Sequence, residues 1–188
     1  MPILLQELYH YANRIKKGEL GAIACDTILG LVCIGNIKNH QRLAAIKKRS
    51  MDKPFLWLIS NFIQLATLVQ TPLSTKQYQL LNELWPGPTT IILPKNTAIP
   101  DELTGGQNTI AVRYPDFIPL NWFIDSINAP ILSTSINFEH DIASSTIASI
   151  PKKIRSDIDF IWAPYAPYYN KASKIISIVN DKKIVIRD

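Results

Sequence analysis

Hydrophobic positions recur along the chain at two spacings, and each spacing predicts a different kind of element. Apolar residues three and four positions apart predict helices, whereas short β-branched or apolar runs bounded by turn residues predict strands. We therefore expect helices over 4–15, 41–48, 62–69, 75–84, 120–127 and 148–154. We expect strands over 22–25, 31–34, 55–59, 89–93, 109–114, 131–133, 160–162, 174–179 and 183–186.

The order of these elements predicts the fold class. Strands and helices alternate irregularly, and the last two strands form a hairpin across Asn180-Asp181. This order indicates an α/β (α+β-like) fold with a twisted mixed sheet flanked by helices. No repeat or boundary interrupts the pattern, so residues 1–188 are expected to form one domain. The stretch 163–170, rich in Pro and Tyr, is the one candidate for a mobile surface loop.

Composition narrows the class of ligand and the compartment. Twenty Lys and Arg against 15 Asp and Glu give a net charge of +5, which favours an anionic ligand such as a nucleotide or a nucleic acid. Cys25 and Cys33 have no metal-binding or redox spacing, so we expect buried, reduced thiols in a cytoplasmic protein. No signal-peptide pattern is present, and no apolar run approaches the ~20 residues of a membrane span. A soluble protein is therefore expected.

A basic segment at 47–54, Lys-Lys-Arg-Ser-Met-Asp-Lys-Pro, follows one of the predicted helices. Pro54 cannot extend that helix, so a turn holds Arg49 and Lys53 between two buried elements. Such cations bind phosphate or carboxylate. The alternative is that they complement the helix dipole and stay solvated, and composition alone favours this alternative.

Few residues suit covalent or metal chemistry. The three histidines form no nucleophilic triad, no metal-ligand spacing occurs, and neither common nucleotide-binding glycine motif is present. Cations and hydroxyl groups instead lie near the ends of predicted strands, where separate segments can converge on one cleft. Arg113 stands out because it interrupts an apolar strand, and buried charges are almost never unpaired. This set favours a reaction that depends on positioning and charge neutralisation, as nucleotidyl transfer does.

Six motifs occur in an order that resembles the YrdC-like family of threonylcarbamoyl-AMP synthases, especially the short bacterial TsaC type. The motifs are Cys-Asp-Thr-Ile-Leu-Gly-Leu at 25–31, the basic segment at 47–55, Trp-Pro-Gly-Pro-Thr-Thr at 85–90, Val-Arg-Tyr-Pro at 112–115, Ser-Thr-Ser-Ile-Asn at 133–137, and Ser-Lys-Ile at 173–175 with Ile-Arg at 186–187. Some positions depart from the family pattern. Leu29 replaces an aromatic residue, Ser50 a proline and Ile136 an alanine, and Phe138-Glu139 stand where Ser-Gly is usual.

The resemblance implies a basic concave cavity on the sheet, and a reaction of L-threonine, bicarbonate (or CO2) and ATP. The products are threonylcarbamoyl-AMP and pyrophosphate, for threonylcarbamoyladenosine at tRNA position 37. It implies that threonine and its carbamate are held by Thr27, Thr109, Arg113, Ser133 and Ser173, with Arg113 on the carboxylate. ATP would be held by Lys47, Arg49, Lys53, Ser135, Asn137 and Arg187. Mg²⁺ would accompany ATP, bound largely through phosphate and water.

Two other functions use the same basic concavity. One is a non-catalytic module that binds double-stranded RNA or tRNA, whose affinity should fall steeply with salt. The other is a carbamoyl-transfer domain of the kind found in hydrogenase maturation, which normally belongs to a much longer chain. The synthase implied by the resemblance would act alongside other tRNA-modification proteins, with RNA as a candidate partner.

Overall fold

The computed structural model of the chain describes residues 3–163 and 169–188, so most of the predicted mobile loop at 163–170 lies outside the described residues. The described residues form six α-helices, one short 3₁₀ helix at Asp101–Thr104, and nine strands. The α-helices are α1 (Ile3–Lys16), α2 (Ile37–Lys47), α3 (Phe62–Leu68), α4 (Thr75–Leu84), α5 (Ile118–Ile127) and α6 (Lys152–Asp157). The strands are β1 (Gly21–Ile23), β2 (Gly30–Ile34), β3 (Leu56–Leu58), β4 (Thr89–Pro94), β5 (Thr109–Arg113), β6 (Ile131–Ser135), β7 (Phe160–Trp162), β8 (Lys174–Val179) and β9 (Lys182–Arg187).

The nine described strands form one mixed sheet in the order β7-β1-β2-β6-β3-β5-β4-β8-β9. The pairs β1/β7, β3/β5 and β4/β8 are parallel, and the other neighbours are antiparallel. Helices pack on this sheet through apolar stripes; for example, Leu8, Ala12 and Ile15 of α1 are buried, and α1 packs against α5. The expected mixed sheet flanked by helices is confirmed. No helix among the described residues is long and apolar enough to cross a membrane.

Helix limits follow from capping groups and proline. Helix α2 begins before the predicted start at 41, because the Asn36 side chain accepts a hydrogen bond from the backbone N–H of Asn39 at 2.8 Å and caps an earlier first turn. The predicted helix at 148–154 is wrong in position, since α6 starts at Lys152. Pro151 disfavours a helical conformation at the residue before it, and Thr146 and Ser149 close a separate turn through their side chains.

The predicted C-terminal hairpin is confirmed. Strands β8 and β9 pair antiparallel on either side of Asn180 and Asp181. Both turn residues have positive φ, at 52° and 59°, as a two-residue turn that matches the twist of the strands requires. The hairpin brings Arg187, at the end of β9, beside the start of β8.

Two glycine-containing corners position the strands and the basic turn. At the Trp85–Pro88 corner, the buried Trp85 indole donates to the carbonyl of Thr89 at 2.7 Å, and a Cβ on Gly87 would lie 2.6 Å from a backbone oxygen. The predicted loop at 100–107 contains the 3₁₀ helix and then Gly105, at φ 62°. A Cβ on Gly105 would lie 2.2 Å from the carbonyl oxygen of Asp52, so only glycine lets this loop pack against the basic turn.

Candidate active site

A cleft with a volume of about 200 Å³ opens where strand ends and turns meet on the sheet. It is lined by residues from 25–28, 54–56, 133–135 and 172–175, together with Arg49, Thr90, Ala111, Arg113 and Arg187. Of the predicted site residues, the lining includes Thr27, Arg49, Arg113, Ser133, Ser135, Ser173 and Arg187. It does not include Lys47, Lys53, Thr109 or Asn137. The basic cleft expected from the sequence is therefore present, but fewer of the predicted side chains line it than expected.

The deep end of the cleft is a buried ion-pair cluster, which we call the Arg113 corner: Cys25, Asp26, Thr27 and Arg113. The Arg113 guanidinium donates to Thr27 Oγ1 at 2.8 Å and to Cys25 Sγ at 2.6 Å, and lies 3.2 Å from Asp26 Oδ1. Arg113 is 3% exposed and Asp26 is fully buried. The Nε of Arg113 is buried and has no hydrogen-bond partner in the part of the chain that the structure describes. The guanidinium is therefore fixed in place before any ligand arrives.

Cys25 acts in this corner as a neutral hydrogen-bonding group. Burial raises the pKa of its thiol to about 12, and the nearby Arg113 charge only partly opposes this. The protonated thiol donates to Asp26 Oδ1 at 2.9 Å while it accepts from Arg113. Because the thiolate is the reactive form of cysteine, this residue is suited to holding the carboxylate and the guanidinium rather than to attacking a substrate.

A second guanidinium enters the cleft from β9. Arg187 donates to the carbonyl of Ser173 at 2.6 and 3.0 Å, and the Ser173 hydroxyl lies 2.8 Å from the hydroxyl of Thr90. Burial lowers the pKa of Arg187, and the positive charge of Arg113 lowers it further. Arg113 and Arg187 are both partly desolvated, and their like charges repel each other across the cleft. A bound anion would offset this repulsion.

Arg49 lies at the opposite wall, in the turn after α2. Its guanidinium carbon is 5.1 Å from the centroid of the Phe55 ring, and Nη2 donates to the carbonyl of Pro54 at 3.1 Å. The Nε of Arg49 is buried and has no hydrogen-bond partner among the described residues, and burial lowers the pKa of the guanidinium. Arg49 therefore stacks on Phe55 in the cleft wall and keeps an N–H donor available for a ligand. A cation that only complements the helix dipole would need neither feature.

Lys47 supports the cleft from behind. It is only 2% exposed, and Nζ donates to the carbonyl of Ser135 and to Asn137 Oδ1, both at 2.7 Å. Asn137 Oδ1 also accepts from the Ser135 hydroxyl at 2.6 Å. Burial lowers the pKa of Lys47 to about 8. The resemblance implies that Lys47 binds ATP, whereas in the fold its side chain holds the end of β6 in place.

The outer edge of the cleft joins two segments, 47–53 and 135–139, which we call the rim. Lys53 Nζ lies 2.7 Å from Glu139 Oε1, and Lys48 Nζ lies 5.0 Å from the centroid of the Phe138 ring. The backbone N–H of Glu139 donates to the carbonyl of Lys47 at 3.1 Å. Phe138 and Glu139, two of the departures from the family pattern, therefore contact the basic segment.

Thr109 is the predicted residue that the fold places elsewhere. It begins β5, where it pairs with Pro94 and lies 3.5 Å from Gln107 Oε1. Arg113 ends the same strand, and four residues of extended chain separate their backbones by about 13 Å. Thr109 therefore does not lie among the residues that line the cleft. Thr90 and Thr134, which were not predicted, supply hydroxyl-bearing lining instead, and both lie within motifs already recognised in the sequence.

Comparisons with known proteins agree with this geometry. The family model of Sua5, YciO and YrdC proteins, described as telomere recombination, matches residues 13–188. A threonylcarbamoyl-AMP synthase of Wigglesworthia glossinidia brevipalpis is 30% identical over 181 residues, covering 95% of this chain and 93% of that protein. P. abyssi Sua5 in complex with L-threonine superposes with a TM-score of 0.89 at 25% identity, covering 97% of this chain and 54% of that chain. E. coli YciO superposes with a TM-score of 0.85 at 19% identity, covering 97% and 89%.

Proposed function

This chain belongs to the Sua5/YciO/YrdC family, and from that premise we propose that it is an L-threonylcarbamoyladenylate synthase. The substrates are L-threonine, bicarbonate (or CO2) and ATP, and the products are threonylcarbamoyl-AMP, pyrophosphate and water. The observation that supports this proposal most directly is a cleft with fixed cations at two ends, Arg113 at the deep end and Arg49 with the rim at the other. Such a cleft suits a carboxylate and a polyphosphate bound side by side.

We assign the deep end to threonine. Arg113 has its Asp26 partner on one side and faces the cleft, so its planar fork can bind the threonine carboxylate. Thr27, Ser133 and Ser173, also in the lining, offer hydroxyl groups to the carbamate and the threonine side chain. Their fixed positions reduce the ordering cost of binding. The relative solved with L-threonine supports this choice of ligand.

We assign the outer end and the rim to ATP. Arg49 and Arg187 lie in the cleft and can contact phosphate oxygens, while Lys47 holds Ser135 and Asn137 in position. A volume of about 200 Å³ is below the roughly 300–1,000 Å³ of most small-molecule sites. The nucleotide must therefore extend along the rim, where Lys53 lies.

The reaction needs no protein nucleophile. Threonine nitrogen and bicarbonate give the carbamate and water; a carbamate oxygen then attacks the α-phosphorus of ATP, and the bond to pyrophosphate breaks. The cations bring two anions together and stabilise the charge that develops on the pyrophosphate. Mg²⁺ supplies further charge neutralisation when bound with ATP. Among the described residues no group of three or more His, Cys, Asp or Glu forms a metal site, so phosphate and water would be its main ligands.

We further propose that residues 1–188 act as one domain in the cytoplasm, where the buried thiols Cys25 and Cys33 stay reduced. The product would pass to other tRNA-modification proteins, and RNA is a candidate partner. The non-catalytic RNA-binding alternative is less well supported, because the curated relatives carry the name of the synthase.

The test is pyrophosphate release by the purified protein from ATP and bicarbonate, with and without L-threonine. We expect release that depends on L-threonine and that falls strongly with L-valine, which has a similar shape but lacks the hydroxyl group. Calorimetry of ATP binding is the control for a functional nucleotide site. ATP binding without threonine-dependent release would contradict the synthase and favour a binding role.

A further inference from the structure

The rim contains two carboxylates, Asp52 and Glu139, and Glu139 is the one that forms an ion pair with Lys53. Glu139 follows β6, and its Oε1 lies 2.7 Å from Lys53 Nζ. Its backbone N–H is held by the carbonyl of Lys47 at 3.1 Å, so the residue is tied to the basic segment by its backbone as well as its side chain. The Glu139 side chain is 23% exposed, and that of Lys53 is 46% exposed.

The charge of Glu139 reaches more than one cation. Lys53, by its hydrogen bond and charge, lowers the pKa of Glu139, and His140 and Arg49 lower it further. Burial lowers the pKa of Arg49 and of Lys47, and the negative charge of Glu139 partly offsets both effects. Glu139 therefore interacts electrostatically with all three cations of the basic segment that we assign to ATP.

We propose that Glu139 is an internal competitor for the ATP phosphates, one that pairs with Lys53 in the free protein and is displaced when the triphosphate binds. The proposal rests on the synthase function proposed above. It follows from geometry and charge: the cleft volume of about 200 Å³ is small for a whole nucleotide, and Arg49, which lines the cleft, lies in the same segment as Lys53, so we place the phosphates along the rim. There a phosphate and the Glu139 carboxylate would compete for Lys53 and repel each other. Glu139 then sets the affinity for ATP without contacting threonine.

The first test is Glu139→Gln, which removes the charge and keeps the shape. Exposed ion pairs are weak, so we expect the dissociation constant for ATP to fall roughly two- to fivefold, with the KM for threonine unchanged. The gain should shrink as salt is raised, because exposed charges are screened. The matched control is Asp157→Asn, which removes a carboxylate paired with Lys153 at 2.9 Å on α6 and should leave ATP binding unchanged.

The second test removes the lysine. In a Lys53→Met background, Glu139→Gln should give a smaller gain than in the wild-type chain, because the pair no longer exists. ATP is titrated by calorimetry with and without Mg²⁺. An unchanged ATP affinity in Glu139→Gln overturns the proposal, and so does a loss seen only with Mg²⁺, which would make Glu139 a partner of the metal.

The two proposals fail in different ways. If wild-type and Glu139→Gln proteins bind ATP equally and release pyrophosphate with threonine, only the competitor role is overturned. If both bind ATP but release no pyrophosphate, the synthase is overturned, and the shift in ATP affinity still decides the role of Glu139. Absence of ATP binding in both proteins overturns both proposals.

Discussion

The Arg113 corner and the rim both present cations to the same cleft, but they hold them in opposite ways. Arg113 is buried and fixed by Asp26, Cys25 and Thr27. Lys53 is nearly half exposed, and among the described residues its side chain forms an ion pair with Glu139. A buried charge that has lost its partner is costly, whereas an exposed one returns to water. Changes in the corner should therefore affect folding and threonine, and changes at Lys53 or Glu139 should affect only ATP.

The largest expected effect comes from removing the internal partner of Arg113. Asp26→Asn leaves a buried guanidinium without its counter-charge, and we expect the free energy of unfolding to fall by about 3–5 kcal/mol. Urea denaturation measures it. The control Asp157→Asn breaks a surface pair and should change stability by about 0–1 kcal/mol. Similar losses in the two variants would remove the distinction between the corner and the rim.

The second prediction tests whether Arg113 acts through its charge or through the planar shape of its guanidinium. Arg113→Lys keeps the positive charge but loses the planar fork. A hydrogen bond to a charged group contributes about 1.5–3 kcal/mol, so we expect threonine affinity to fall roughly 10- to 100-fold while ATP affinity changes little. Separate calorimetric titrations of the two ligands measure this. Equal losses in both would show that Arg113 does not distinguish them.

The converse change is made in the cleft wall beside the rim. Arg49→Met keeps an unbranched side chain over Phe55 and removes the charge. We expect ATP affinity to fall roughly tenfold, through the loss of a charge-assisted contact, with threonine affinity unchanged. Calorimetry with each ligand again gives the answer. An unchanged ATP affinity would indicate that Arg49 only complements the dipole of α2.

The last expected effect is a pH dependence of stability that has opposite signs for the buried thiols and for the buried Lys47. Burial raises the thiol pKa of Cys25 and of Cys33 from 9.0 to about 12, so above pH 9 the unfolded chain loses protons that the folded chain keeps, and stability falls. Burial lowers the pKa of Lys47 from 10.5 to about 8, so between these values stability rises with pH. Each group contributes about 1.4 kcal/mol per pH unit.

Between pH 9 and 10.5 the two thiols oppose one lysine, and the net slope should be a loss of about 1.4 kcal/mol per pH unit. Cys25→Ser should make this slope nearly flat, and Lys47→Met should double it. Urea denaturation at three pH values in this range measures the slopes. Identical slopes in the three proteins would mean that these groups titrate alike in the folded and unfolded chains.

Much of the site was predictable because its residues lie in short motifs. Arg113 could be recognised as a lone charge in an apolar strand, and Ser133, Ser135 and Ser173 lie in segments with a recognisable order. Thr109 was assigned to the site through the resemblance, although the strand predicted over 109–114 already places Thr109 and Arg113 at opposite ends. Thr90 was not predicted, although it lies in the motif at 85–90 and β4 carries its hydroxyl into the cleft.

The sequence by itself determined most of the helices and strand positions, the C-terminal hairpin and the family, because periodicity, turn residues and motif order are properties of neighbouring residues. Only the tertiary structure decided which cations face the cleft, which one is buried behind it, and which one is paired. Lys47 contacts Ser135 and Asn137 across 88 and 90 positions, and Lys53 meets Glu139 across 86. Such contacts depend on strand register and on the path of distant turns, which no local pattern contains.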